Sequence, residues 1–202
     1  MKTIVLYATD TMADWEYAYI TTGIAMAREQ GSDRFQLRTL SDGGGDVTTL
    51  GGLHLVPDGD LADLDVSELA ALVLPGGGTW GQGHANVLKL AVDALGQGIP
   101  VGAICGATLG LARYGALNGR PHTSNALEFI TAADEYTGQQ HYREERTVRD
   151  GTLITAPGTA PLEFAKAMFE ALELFPQAII DAWYGLYSTG EKKYHDLLVG
   201  AE

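Results

Sequence analysis

Short apolar runs and helical stripes alternate along this chain. Ile4-Val5-Leu6-Tyr7-Ala8 is apolar without a break, the pattern of a strand covered on both faces. Residues 14 to 29 then carry Trp15, Ala18, Tyr19, Thr22 and Met26 at helical spacing, ending before Gly31. Phe35 to Leu40 predicts a second strand. Residues 46 to 58, with Gly51-Gly52 at the centre, predict a β-hairpin whose glycines allow positive φ. Ala71-Leu72-Val73-Leu74 is a third buried strand, closed by Pro75-Gly76-Gly77-Gly78. A helix over Val87 to Leu95, a strand over Pro100 to Ile104 and a helix from Gly106 follow. Thr147 to Ala156, around Asp150-Gly151, predicts a second hairpin, and the helices Pro161 to Leu172 and Pro176 to Tyr187 complete the pattern. Such alternation predicts a three-layer α/β sandwich, a mostly parallel sheet with helices on both faces.

Composition narrows the partners. The 202 residues, 46% hydrophobic, suit one domain over residues 1–202, with no internal repeat or linker. A formal net charge of −13 argues against nucleic acid or an anionic membrane as partner, because both demand a basic footprint. No apolar stretch is long enough to span a bilayer, and Met1-Lys2-Thr3 runs straight into the first strand, so a cytoplasmic location is expected. One cysteine excludes an intrachain disulfide and a cysteine-based zinc cluster. No two histidines stand at ligand spacing on one helix, so neither metal nor cofactor is expected. A small-molecule substrate is the expected partner.

That single cysteine carries the chemistry. Cys105 ends the strand Pro100 to Ile104 and precedes the helix from Gly106, with the small residues Ala103 and Ala107 two positions to either side. A tight strand-to-helix turn of this kind is a nucleophile elbow: it lifts the side chain to the carboxyl edge of the sheet. The turn also aims the thiol at a helix N-terminus, where free N–H groups favour thiolate, so an acidic, reactive thiol is expected. Free cysteines also serve as plain core filling, which is the competing reading. The loop Gly76-Gly77-Gly78 ends a neighbouring strand with exposed backbone N–H groups, the donors an oxyanion needs. No Gly-Lys-Ser/Thr ending follows, so a nucleotide P-loop is excluded.

Strand, elbow and glycine loop together resemble the ThiJ/PfpI superfamily, with its class I glutamine amidotransferase-like fold. The resemblance rests on Ile4 to Ala8, Asp14-Trp15-Glu16, Leu74-Pro75-Gly76-Gly77, Ala103-Ile104-Cys105-Gly106-Ala107, and Leu153-Ile154-Thr155-Ala156 followed by Leu162-Glu163-Phe164-Ala165. Trp80 and the Tyr136-to-Tyr142 stretch resemble a bacterial subgroup. The resemblance implies a flavodoxin-like sheet, Cys105 as nucleophile, Glu16 as the carboxylate approaching its sulfur, and the amides of Gly77 and Gly106 as oxyanion donors. It implies a cysteine-dependent hydrolase or lyase acting on a small carbonyl or amide electrophile, and a homodimer. The alternative is a non-catalytic redox-sensing or stress-response protein using the same cysteine.

The chain departs from the family at the third catalytic position. Asn125 stands where many members have a histidine. His122, three residues earlier, falls on the opposite face if the segment is extended, and reaches the site only if the backbone bends at Pro121. His84, near the glycine loop, is a second imidazole; both read first as ordinary surface or hydrogen-bonded histidines. With Trp80 and Asn125 they are the expected site-lining residues. The loop Thr155 to Glu163 contains no histidine, which weighs against glutamine hydrolysis. On the late helix, Trp183, Tyr184, Leu186 and Tyr187 are candidates for a dimer face.

Overall fold

The computed structural model describes residues 1–200. In chain order its elements are β1 (Lys2–Tyr7), α1 (Asp14–Glu29), β2 (Phe35–Ser41), β3 (Val47–Thr48), β4 (His54–Leu55), β5 (Gly59–Asp60), β6 (Leu69–Leu74), α2 (Ala85–Gly96), β7 (Val101–Ile104) and α3 (Gly106–Arg113). They continue with α4 (Leu127–Ile130), β8 (Val148–Asp150), β9 (Leu153–Ala156), α5 (Pro161–Leu172), α6 (Gln177–Thr189) and α7 (Lys192–Val199). Seven strands form one sheet in the order β5-β2-β1-β6-β7-β9-β8. All its pairings are parallel except β8 with β9, the hairpin expected around Asp150-Gly151. The other hairpin pairs β3 with β4, and of its two central glycines only Gly52 takes positive φ.

Unbroken apolar strands mean a sheet buried on both sides, and the two cores show it. Ile4 and Leu6 of β1 face a cluster built on Ile20 and Ile24 of α1 and Phe164, Met168 and Phe169 of α5. Their neighbours Val5 and Tyr7 face the other cluster, with Leu88 and Ala91 of α2, Leu111 of α3 and Trp80. The period of two along the strand thus sorts the chain into the two outer layers of a flavodoxin-like sandwich.

The last helices settle much of the aromatic surface expected there. Trp183 packs edge-on against Phe169 and Tyr19, and Tyr184 donates to Glu163, while Tyr187 stays 55% exposed. No described helix is long and apolar enough to cross a membrane. The sheet order also positions the chemistry. The strand order reverses at β1, with β2 on one side and β6 on the other, and ligands of such sheets bind outside the carboxyl ends of the strands. The loops after β1, β6, β7 and β9 converge there.

Candidate active site

Cys105 caps the N-terminus of α3 with φ 57° and ψ −122°, a left-handed conformation that strains a non-glycine residue by about 1–3 kcal/mol. The surrounding backbone holds it in place. The Cys105 N–H donates to the Ala156 carbonyl at 2.9 Å, extending the β7–β9 ladder by one residue. The Cys105 carbonyl accepts from Thr108 N–H at 3.2 Å and Thr108 Oγ1 at 2.6 Å. The elbow expected from the small neighbours is therefore present, with the thiol half-buried at the sheet edge.

Glu16 reaches this thiol from the first turn of α1 and is only 2% exposed. Its Oε2 accepts the Gly76 N–H, and its carboxyl is hydrogen-bonded to Cys105. Gly76 can be nothing larger: an added Cβ would lie 2.5 Å from Cys105 Cβ and 2.7 Å from Glu16 Oε2. Asn125 closes a third side. Its Nδ2 donates to Cys105 Sγ at 3.3 Å, and its Oδ1 accepts the Gly158 N–H at 2.9 Å, which fixes which end of the amide faces sulfur. The Gly106 N–H stands next to the thiol at the start of α3 and favours its ionised form. The backbones of Gly77 and Gly106 are in contact, since a Cβ on Gly106 would stand 2.6 Å from Gly77 O and 3.1 Å from Gly77 N. Gly77 N–H has no acceptor among the described residues.

Electrostatics correct one expectation. The Cys105 thiol is pushed above its ordinary range, first by burial and then by the negative charge and hydrogen bond of Glu16; the Asn125 amide and Gly106 N–H pull the other way without prevailing. A helix N-terminus alone does not make this thiol acidic. Glu16 is pushed up as well, by burial, against the Gly76 N–H and the thiol. Two acids in contact, each costly to ionise, titrate as a pair, and the first negative charge belongs to both.

Neither imidazole completes a triad. His122 is fully buried and turned away: Nδ1 meets the Arg120 carbonyl at 2.8 Å and Nε2 the Tyr136 hydroxyl at 2.7 Å. His84 is bonded to Tyr7 Oη and Thr79 Oγ1, both at 3.0 Å, and lines a polar cavity of about 840 Å³ among whose lining residues Cys105 is not found. Trp80 supports the site from behind and does not line it. It is 1% exposed, donates Nε1–H to the Pro75 carbonyl at 2.9 Å, and fills the space beside Gly106 and Gly110 of α3. Glu163 lies outside the site, paired with Arg146 at 2.7 Å. No cluster of three or more His, Cys, Asp or Glu among the described residues is placed to hold a metal ion.

Sequence reasoning missed Gly158. A Cβ there would lie 2.9 Å from both Cys105 Sγ and Glu16 Oε1, so this glycine leaves the space above the thiol. Its signal was available: a Pro-Gly pair directly after β9, at the same carboxyl edge as the elbow.

Known proteins resemble this chain over most of its length. A model of the DJ-1/PfpI family matches residues 2–171. The chain is 39% identical over 197 residues to a Bacillus subtilis protein named as the uncharacterized protease YoaZ, covering 96% of this chain and 94% of that one. It superimposes on a thiJ/pfpI family protein from Bacillus anthracis with a TM-score of 0.90 at 35% identity, covering 99% and 97% of the two chains. The DJ-1 superfamily protein Atu0886 from Agrobacterium tumefaciens gives a TM-score of 0.82 at 32% identity, covering 94% and 99%.

Proposed function

The chain belongs to the DJ-1/PfpI family, and from that premise we propose that it is a cysteine-dependent hydrolase or lyase acting on small carbonyl or amide electrophiles. The observation that carries the reading is the set of partners on one sulfur: a buried carboxyl, Glu16, to take its proton, and the Asn125 and Gly106 donors to support the anion. In the first step the Cys105 proton passes to Glu16 while the S–C bond forms. The π electrons of the carbonyl move to its oxygen, beside the amides of Gly77 and Gly106. For an aldehyde, Glu16 returns the proton to that oxygen and a thiohemiacetal results. For an amide, the same proton goes to the leaving nitrogen, and water must then displace the acyl group from sulfur.

The aldehyde course needs one proton carrier, and Glu16 is one. The amide course also needs a base for water, and Cys105 has no imidazole partner among the described residues. Small aldehydes are therefore the better expected substrates, even though the Bacillus subtilis relative is named a protease. Consumption of small aldehydes, amides and peptides by the protein and its Cys105→Ala variant tests this. The expected result is reversible capture of the aldehyde as a Cys105 thiohemiacetal, absent from the variant; aldehyde consumption that survives the loss of Cys105 would overturn the reading.

A redox sensor is the second reading, favoured by the same N–H donors. They would also hold the oxygen of a sulfenate formed when peroxide oxidises the sulfur and releases water. A homodimer is part of the proposal, supported by the exposed Trp15, Leu50 and Leu53 around the α1 entrance, and light scattering is expected to give twice the chain mass.

A further inference from the structure

We infer that His122, which never touches the thiol, is a positioning residue for it: with Tyr136 it holds the segment that delivers Asn125 to Cys105. The inference rests on reading Asn125 as a partner of the nucleophile. Residues 122 to 125 form no helix and only an isolated bridge, so side chains must fix them. Each residue is tied. The Thr123 N–H donates to Thr155 Oγ1 at 2.9 Å, and its hydroxyl to the Glu145 carbonyl at 3.0 Å. Ser124 shares a 2.6 Å hydrogen bond with Thr108 of α3. His122 anchors the start, through its backbone to His141 and Arg143 and through its ring to Tyr136. Among these anchors only the His122 ring gains a charge as the solution is acidified.

Geometry sets its protonation state. A carbonyl can only accept, so the Nδ1 facing Arg120 O carries the hydrogen. The bare Nε2 then accepts the Tyr136 hydroxyl proton. A second proton, on Nε2, would meet that hydroxyl head-on and force it to turn. The surroundings give the extra charge no carboxylate. Tyr136 and Tyr142 stand edge-on at 5.5 and 6.0 Å, His141 and Arg143 bracket the backbone, and Arg120 is committed to Asp150 at 2.8 Å. Burial, with His141 and Arg143 adding repulsion, holds the imidazole below its ordinary range. When acid finally protonates it, the segment loosens and Asn125 leaves the sulfur, so the thiol becomes harder to ionise at the same time.

Iodoacetamide alkylation of Cys105, followed from pH 8 down to pH 4.5, reads this coupling. A lone thiol gives log rate against pH with a slope of one below its pKa. The protein is expected to steepen to a slope of about 1.5, the most a tenfold loss on one protonation can add, in a window below the ordinary imidazole value of about 6.5. Tyr136→Phe removes the proton donor on Nε2, frees the lone pair, and should move the steep window upward. His122→Gln should hold a slope of one throughout; should it fail to fold, Tyr136→Phe alone decides. Asn125→Ala should slow alkylation about tenfold at neutral pH, as loss of a hydrogen bond to an anion implies, with a slope of one. An unchanged rate in Asn125→Ala would remove the premise. A slowed Asn125→Ala beside wild-type profiles in Tyr136→Phe and His122→Gln would overturn the inference itself.

Discussion

Glu16 and Glu163 occupy the same station on two helices, the third residue of α1 and of α5, and they have opposite chemistry. The macrodipole acts on both alike. What differs is the company each keeps. Glu16 is sealed between the Gly76 N–H and the Cys105 thiol, with no cation beside it, and burial pushes its carboxyl upward. Glu163 has its side chain 18% exposed, accepts two hydrogen bonds from Arg146 at 2.7 and 3.0 Å and a third from Tyr184 at 3.2 Å. Its pKa is lowered: burial opposes the shift, and the bonds and charge of Arg146 override it. A helix turn offers an acid a place; neighbours from elsewhere in the chain decide whether it holds a proton or an ion pair.

The most damaging way to break this contrast is at the seat of Glu16. Gly76→Ala would drive a methyl group into Cys105 Cβ and Glu16 Oε2. Overpacking of this kind costs about 1–3 kcal/mol. As the carboxyl leaves the sulfur, the thiol loses the charge and hydrogen bond that raise it, and the midpoint of Cys105 alkylation should move downward in pH. Calorimetry and an alkylation pH profile check both parts, and an unchanged midpoint would show that Glu16 does not govern the thiol.

Glu16→Gln sharpens the comparison. The folded protein holds the Glu16 proton to higher pH than the unfolded chain does, so ionising it costs stability as pH rises from the ordinary value, 4.5, through the raised one. Removing the charge should raise the melting temperature at pH 7 and leave it unchanged near pH 4. Because Glu16 raises the thiol through both its charge and its hydrogen bond, the same variant should shift the midpoint of Cys105 alkylation downward. An upward shift would place the shared proton on Glu16, donating to a thiolate.

Glu163→Gln should do the reverse, and less. The lowered carboxyl contributes stability above its ordinary 4.5, and this is lost as pH falls through the folded value. With the Arg146 side chain 59% exposed, the pair is worth about 1 kcal/mol or less at pH 7. A small drop in melting temperature at pH 7 that disappears in acid, with no change in the alkylation profile, is the expected outcome. A shifted alkylation profile would mean that the two carboxylates communicate.

Local pattern determined much of this protein. The apolar runs placed β1, β6 and β7, the 3.6-residue spacing placed α1, α2 and α5, and small residues around Cys105 marked the elbow, because periodicity and turn sterics act over a few residues. The short α4 and α7 escaped, having too few turns to show a period. Only the tertiary structure decided the chemistry at the sulfur. It brought Gly76 to Glu16 across 60 positions, Asn125 to Cys105 across 20, and Gly158 to Asn125 across 33, while turning His122 toward Tyr136 and His84 toward Tyr7. A thiol read as acidic from its helix end is instead pushed upward, because desolvation and a neighbouring charge depend on the whole packed shell, which no stretch of sequence contains.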